Sequence, residues 1–202
     1  MTSHRPIAPL TGPDAWRGAD LAVASRFWLQ RFTLDELAAL DDAADRLLAA
    51  GWPHAPFARA SAPAVAELCA AIRDELLFGR GFVVLRGLPV DGDLARIAAR
   101  LWALGQHLGA PVSQNARGHL LGHVCDLGYD AADPATRLYQ TNQRQGFHTD
   151  SADVVALLCL RTAQRGGRSS LASAAAAFNA VLARAPELAG ALFEPVATDH
   201  RG

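Results

Sequence analysis

The tripeptide His148-Thr149-Asp150 sets an imidazole and a carboxylate two residues apart. In an extended segment residues i and i+2 point to one side, so both groups can reach a single metal ion. One further histidine from elsewhere would complete a 2-His-1-carboxylate facial triad, which holds Fe(II) by three positions and leaves three open. Those open positions suit a bidentate oxo-acid and dioxygen. By itself the tripeptide is also the pattern of a histidine and an aspartate at a strand end, solvated or hydrogen-bonded to each other. A second pair, His119 and His123, can share one face of a helix or strand. Leu120 stands where the HExxH motif needs glutamate, so a metalloprotease helix is excluded. The chain carries no Walker loop, GxSxG elbow or GxGxxG turn.

The elements that must position these groups are legible in part. Residues 1–20, rich in Pro, Gly and polar side chains, read as an arm or loop. Thr33-x-x-Glu36 is a capping box, and Leu34, Leu37, Leu40, Ala44, Leu47 and Leu48 follow at helical spacing, until Gly51 and Pro53 stop the helix. A second helix is expected over Pro63 to Phe78 with Gly79 as its stop. Gly81 to Arg86 is a β-branched and aromatic run and reads as a strand. Asp91 or Asp93 then caps a helix over Leu94 to Leu108, ended by Gly109 and Pro111.

Beyond this point the pattern predicts short strands over 119–127, 137–142, 146–150 and 153–161, with Gly166-Gly167 as a turn and Ser169 to Ala172 as another strand. Ser173 caps a helix over Ala174 to Arg184, Pro186 starts a helical turn, and Glu194 to Thr198 opens one more strand. Helices first and strands later indicate an α+β chain without alternating βαβ units.

Several of these segments, taken in order, resemble the TauD/TfdA-like family of Fe(II)/2-oxoglutarate-dependent dioxygenases. The segments are Arg137 to Asn142, Gly146-Phe147-His148-Thr149-Asp150, the apolar run Val154 to Leu160, and Gly166-Gly167-Arg168-Ser169. The upstream Gly81 to Gly87 is similar to the family's early strand. The likeness runs from about residue 60 to 202 and is most specific between 137 and 173. It implies a double-stranded β-helix (jelly-roll) core preceded by N-terminal helices. Residues 1–60 would form an arm and helical extension, and 61–202 the N-terminal part of the oxygenase domain. It implies His148 and Asp150 as metal ligands, Fe(II) as the metal and 2-oxoglutarate as co-substrate. Ser169 and Asn142 would lie where side chains contact the co-substrate, and dioxygen and a small molecule would be the other reactants. Arg168 stands where the family commonly has Asp.

The resemblance also implies a distal histidine and a following arginine for the far carboxylate of 2-oxoglutarate, a task suited to a planar guanidinium. After Asp150 the only histidine is His200, with Arg201 beside it. His200 therefore reads as a surface or turn residue, and the chain as C-terminally truncated with an incomplete jelly-roll. The expected activity is hydroxylation of a small molecule. The alternative is a catalytically inactive fragment, or a binding or interaction module, of the same fold. Unpaired sheet edges would favour self-association into a homo-oligomer. A third arrangement is a cupin-like site in which His119 and His123 join His148.

Composition bounds the rest. A net charge of -1 gives no electrostatic footprint for nucleic acid or an anionic membrane. There is no run of 18 apolar residues to span a bilayer. Cys69, Cys125 and Cys159 suggest neither a disulfide framework nor a zinc site, and Cys159, inside its apolar run, is expected as a buried core thiol. With an N-terminus lacking an apolar h-region, these features point to the cytoplasm.

Overall fold

The computed structural model describes residues 7–52, 62–115 and 117–197. His200 lies outside the described residues. The regular elements are α1 (Gly18–Ala22), β1 (Leu29–Arg31), α2 (Leu34–Ala49), α3 (Pro63–Phe78), β2 (Val84–Arg86), α4 (Leu94–Leu108) and α5 (Ala174–Arg184). Short 3-10 turns occupy Ser25–Phe27, Leu138–Gln140 and Pro186–Phe193. The chain divides into two compact units: Met1–Gln30 with Asp74–Val84 and Leu171–Gly202, and Arg31–Arg73 with Leu85–Ser170.

The second unit carries His148 and Asp150, and its core is helical. α2 begins at the expected capping box: Glu36 N–H donates to Thr33 Oγ1 at 3.2 Å, and Thr33 N–H donates to Glu36 Oε2 at 2.8 Å. Two of the helix's orphan donors are thereby satisfied. Leu40, Ala43, Ala44 and Leu47 form its buried stripe, which packs with Val65 and Cys69 of α3 and Ala99, Trp102, Ala103 and Leu104 of α4. The alanines let helix backbones approach closely, while Leu40 and Leu47 supply most of the apolar area removed from water. Trp52 and Trp102 meet edge to face at 6.1 Å.

Polar groups tie the same helices together. Asp93, not Asp91, caps α4, accepting from Ala95 N–H at 3.2 Å. Arg100, whose side chain is only 9 % exposed, donates from Nε to Asp41 Oδ1 at 2.5 Å and from Nη1 to the Pro89 carbonyl at 3.1 Å. A guanidinium taken out of water needs such partners to offset lost hydration. Arg73 donates to the carbonyl of His107 at 2.5 Å, satisfying one of the acceptors that the end of α4 leaves unpaired.

In the first unit the N-terminal arm is held by side chains. The Asn179 amide donates to the Leu10 carbonyl at 2.7 Å and accepts from Leu10 N–H at 2.8 Å. Ser173 Oγ accepts from Ala176 N–H at 2.8 Å, capping α5 as expected, and donates to the Asp14 carbonyl. Trp16 packs edge-on against Phe82 at 5.4 Å, and its indole N–H donates to the Arg80 carbonyl at 2.9 Å.

β1 and β2 make a two-stranded sheet. Val84 N–H donates to Trp28 O at 2.8 Å and Phe32 N–H to Arg86 O at 3.1 Å, the even, slanted pattern of a parallel pair. The α+β mixture therefore stands. The strands expected over 119–127, 137–142, 146–150, 153–161 and 169–172 do not form, since the only sheet among the described residues is β1–β2. Alternation of apolar and polar residues is a local signal, whereas a strand exists only where a neighbour satisfies its N–H and C=O groups. Two bonds, Cys125 N–H to Tyr139 O at 3.1 Å and Leu127 N–H to Gln140 O at 2.9 Å, are what remains of such pairing. Residues 138–140 curl into a 3-10 turn instead. The expected strand at 81–86 shortens to Val84–Arg86, and 194–197 is not a strand. Cys159 is a further correction: without a covering strand its segment lies at the surface and the thiol is exposed.

Candidate metal centre

His148 sits in an extended loop whose geometry is set by its own backbone. Its Nδ1 lies 2.9 Å from the carbonyl oxygen of Gly146. A carbonyl only accepts, so Nδ1 is the donor there and Nε2 is the ring nitrogen left outside that bond. Metal-bound histidines use the same device, the non-ligating nitrogen donating to a fixed acceptor. Nothing in the sequence marked the Gly146 carbonyl for this role, because a backbone acceptor has no residue-type signature.

The freed Nε2 faces Asp150, with Oδ1 at 3.8 Å. That gap is too long for a hydrogen bond and shorter than two metal–ligand bonds of about 2.1 Å laid end to end. One ion can touch both atoms, and a small closure brings them to the spacing of adjacent octahedral positions, about 3 Å for bonds of that length. An imidazole nitrogen and a carboxylate oxygen are donors that Fe(II) accepts. The pair is half open to solvent, with side chains 51 % and 56 % exposed. An exposed His–Asp pair at this distance contributes little stability.

The other predicted site residues lie in the same unit but are not bonded to this pair. Asn142 is exposed, and its Oδ1 accepts from the neighbouring Gln143 side chain at 3.4 Å. Its loop is shaped by Thr141, whose hydroxyl donates to the Leu138 carbonyl at 2.9 Å and accepts from Gln143 N–H at 3.2 Å. Ser169 is exposed and follows the expected glycine turn. Gly166 and Gly167 have φ of 72° and 67°, the left-handed region that glycine enters without steric cost. At Gly167 a Cβ would also sit 2.7 Å from Ala163 Cβ.

Among the described residues no group of three His, Cys, Asp or Glu side chains could hold a metal. His119 is instead hydrogen-bonded to Asn115, Nδ1 to Nδ2 at 3.0 Å. The described structure thus does not assemble His119, His123 and His148 into a cupin-like site. It brings together His148 and Asp150 and supplies no third donor.

Comparison with known proteins gives this pair a context. Residues 34–202 match the family described as "Taurine catabolism dioxygenase TauD, TfdA family". The chain is similar to FR-33289 synthase of Streptomyces rubellomurinus (strain ATCC 31215), 34 % identical over 200 residues that cover 96 % of this chain. The chain spans 58 % of the length of that relative. The family match takes in every candidate site residue and the whole helical core of the second unit. The chain therefore belongs to the TauD/TfdA family, whose members are Fe(II)/2-oxoglutarate-dependent dioxygenases built on a jelly-roll.

Proposed function

We propose that this chain carries the proximal half of an Fe(II)/2-oxoglutarate site, with His148 Nε2 and Asp150 Oδ1 as two ligands, in an oxygenase that hydroxylates a small molecule. The observation that carries the reading is the geometry: Nδ1 is engaged by the Gly146 carbonyl, and Nε2 lies 3.8 Å from Asp150 Oδ1. Bound Fe(II) with 2-oxoglutarate supplies the oxidising chemistry: dioxygen is reduced, the oxo-acid loses carbon dioxide to become succinate, and one oxygen atom passes to the substrate.

The residues' own share is binding and orientation. The Asp150 carboxylate offsets part of the metal's charge. The Ser169 hydroxyl, presented after the Gly166–Gly167 turn, donates to a carboxylate oxygen of 2-oxoglutarate. The Asn142 amide approaches the same co-substrate from the loop before Gly146. On this reading the distal histidine and the carboxylate-binding arginine belong to a portion such as that by which the relative exceeds this chain. The same portion supplies the strands that make 119–127 and 153–161 part of a jelly-roll.

The relative's name, FR-33289 synthase, describes an enzyme that makes a product. Three cysteines outside any disulfide fit a reducing cytoplasm. No helix among the described residues is long and apolar enough to cross a membrane.

A second reading is favoured by one observation. Phe147 and Leu157, in the segments around the site, are 69 % and 76 % exposed. Apolar surface of that kind marks interaction sites, as expected of a catalytically inactive binding module or a homo-oligomer. Anaerobic Fe(II) titration with 2-oxoglutarate separates the readings. Iron binding that 2-oxoglutarate strengthens, and that Asp150→Ala abolishes, supports the oxygenase site. No iron binding, together with a concentration-dependent dimer in sedimentation, supports the interaction module.

A further inference from the structure

We draw no further inference here: the strongest candidate, the cavity of about 500 Å3 in the first unit walled by Asp14, Trp16, Arg80, Phe82 and Ser173, carries nothing, because Trp16, Arg80 and Ser173 are already hydrogen-bonded to protein neighbours and nothing in the structure shows what ligand would fill it.

Discussion

Asp150 Oδ1 lies 3.8 Å from His148 Nε2 while His148 Nδ1 is held by the Gly146 carbonyl two residues upstream. The three residues belong to one loop, so the donor pair is set by local backbone geometry and does not wait on distant packing. Asp150→Ala removes a charged donor and leaves the ring orientation intact. It is expected to weaken Fe(II) binding by at least about 100-fold, beyond the usual effect of losing an outer-shell partner, with no change in thermal unfolding. Anaerobic titration calorimetry beside a melting curve checks both halves. Unchanged iron affinity would remove Asp150 from the site.

Gly167 shapes the turn that precedes Ser169. Gly167→Ala forces a side chain onto a backbone at φ 67° and against Ala163, and is expected to cost about 1–2 kcal/mol. Ser169→Ala leaves the backbone alone. It should weaken 2-oxoglutarate binding about tenfold, the equivalent of one hydrogen bond to a charged group, and spare Fe(II) binding in its absence. Equal losses of both ligands in Ser169→Ala would mean that the serine acts through the fold and not on the co-substrate.

Arg100 and Asp41 give a prediction about stability alone. Asp41→Ala strands a guanidinium that is only 9 % exposed, leaving it the Pro89 carbonyl, and should cost about 1–3 kcal/mol. Asp45→Ala removes a more exposed partner of Arg96, at 2.8 Å, and should cost under about 1 kcal/mol. Urea denaturation of the two variants gives the ranking, and the reverse order would show that burial of Arg100 does not set the cost.

Thiol accessibility tests the corrected environment of the cysteines. Cys125 and Cys159 are exposed and Cys69 is fully buried. A maleimide is expected to modify the first two rapidly in the native protein and Cys69 only on unfolding, as followed by peptide mass spectrometry. Slow labelling of Cys159 would indicate that its apolar segment is covered after all.

What was legible in the sequence is what is local. The Thr33–Glu36 box, the Leu40–Leu47 stripe and the Ser173 cap each lie within a few residues, and each appears where expected. The His148–Asp150 juxtaposition is legible for the same reason. Strands are not local: the run Val154 to Leu160 has the composition of one, but no neighbouring backbone pairs with it among the described residues. Contacts distant in sequence, such as Arg100 with Asp41 or Asn179 with Leu10, have no signature in either residue's surroundings. The choice between Asp91 and Asp93 as the cap of α4 was settled by which carboxylate reaches Ala95 N–H. Asn142 and Ser169 were expected from family likeness alone, and their loops hold them at the surface without a bond to His148 or Asp150.

The central claim is that His148 and Asp150 are two of the Fe(II) ligands and that 2-oxoglutarate binds beside them. Anaerobic Fe(II) titration, with and without 2-oxoglutarate, on the wild type and on His148→Ala, tests it most directly, read by calorimetry and by the visible absorption of the iron–oxo-acid chelate. The account predicts iron binding that 2-oxoglutarate strengthens and that His148→Ala abolishes, with the fold unchanged by circular dichroism. Iron binding that is equally strong in His148→Ala, or that ignores 2-oxoglutarate, would contradict it.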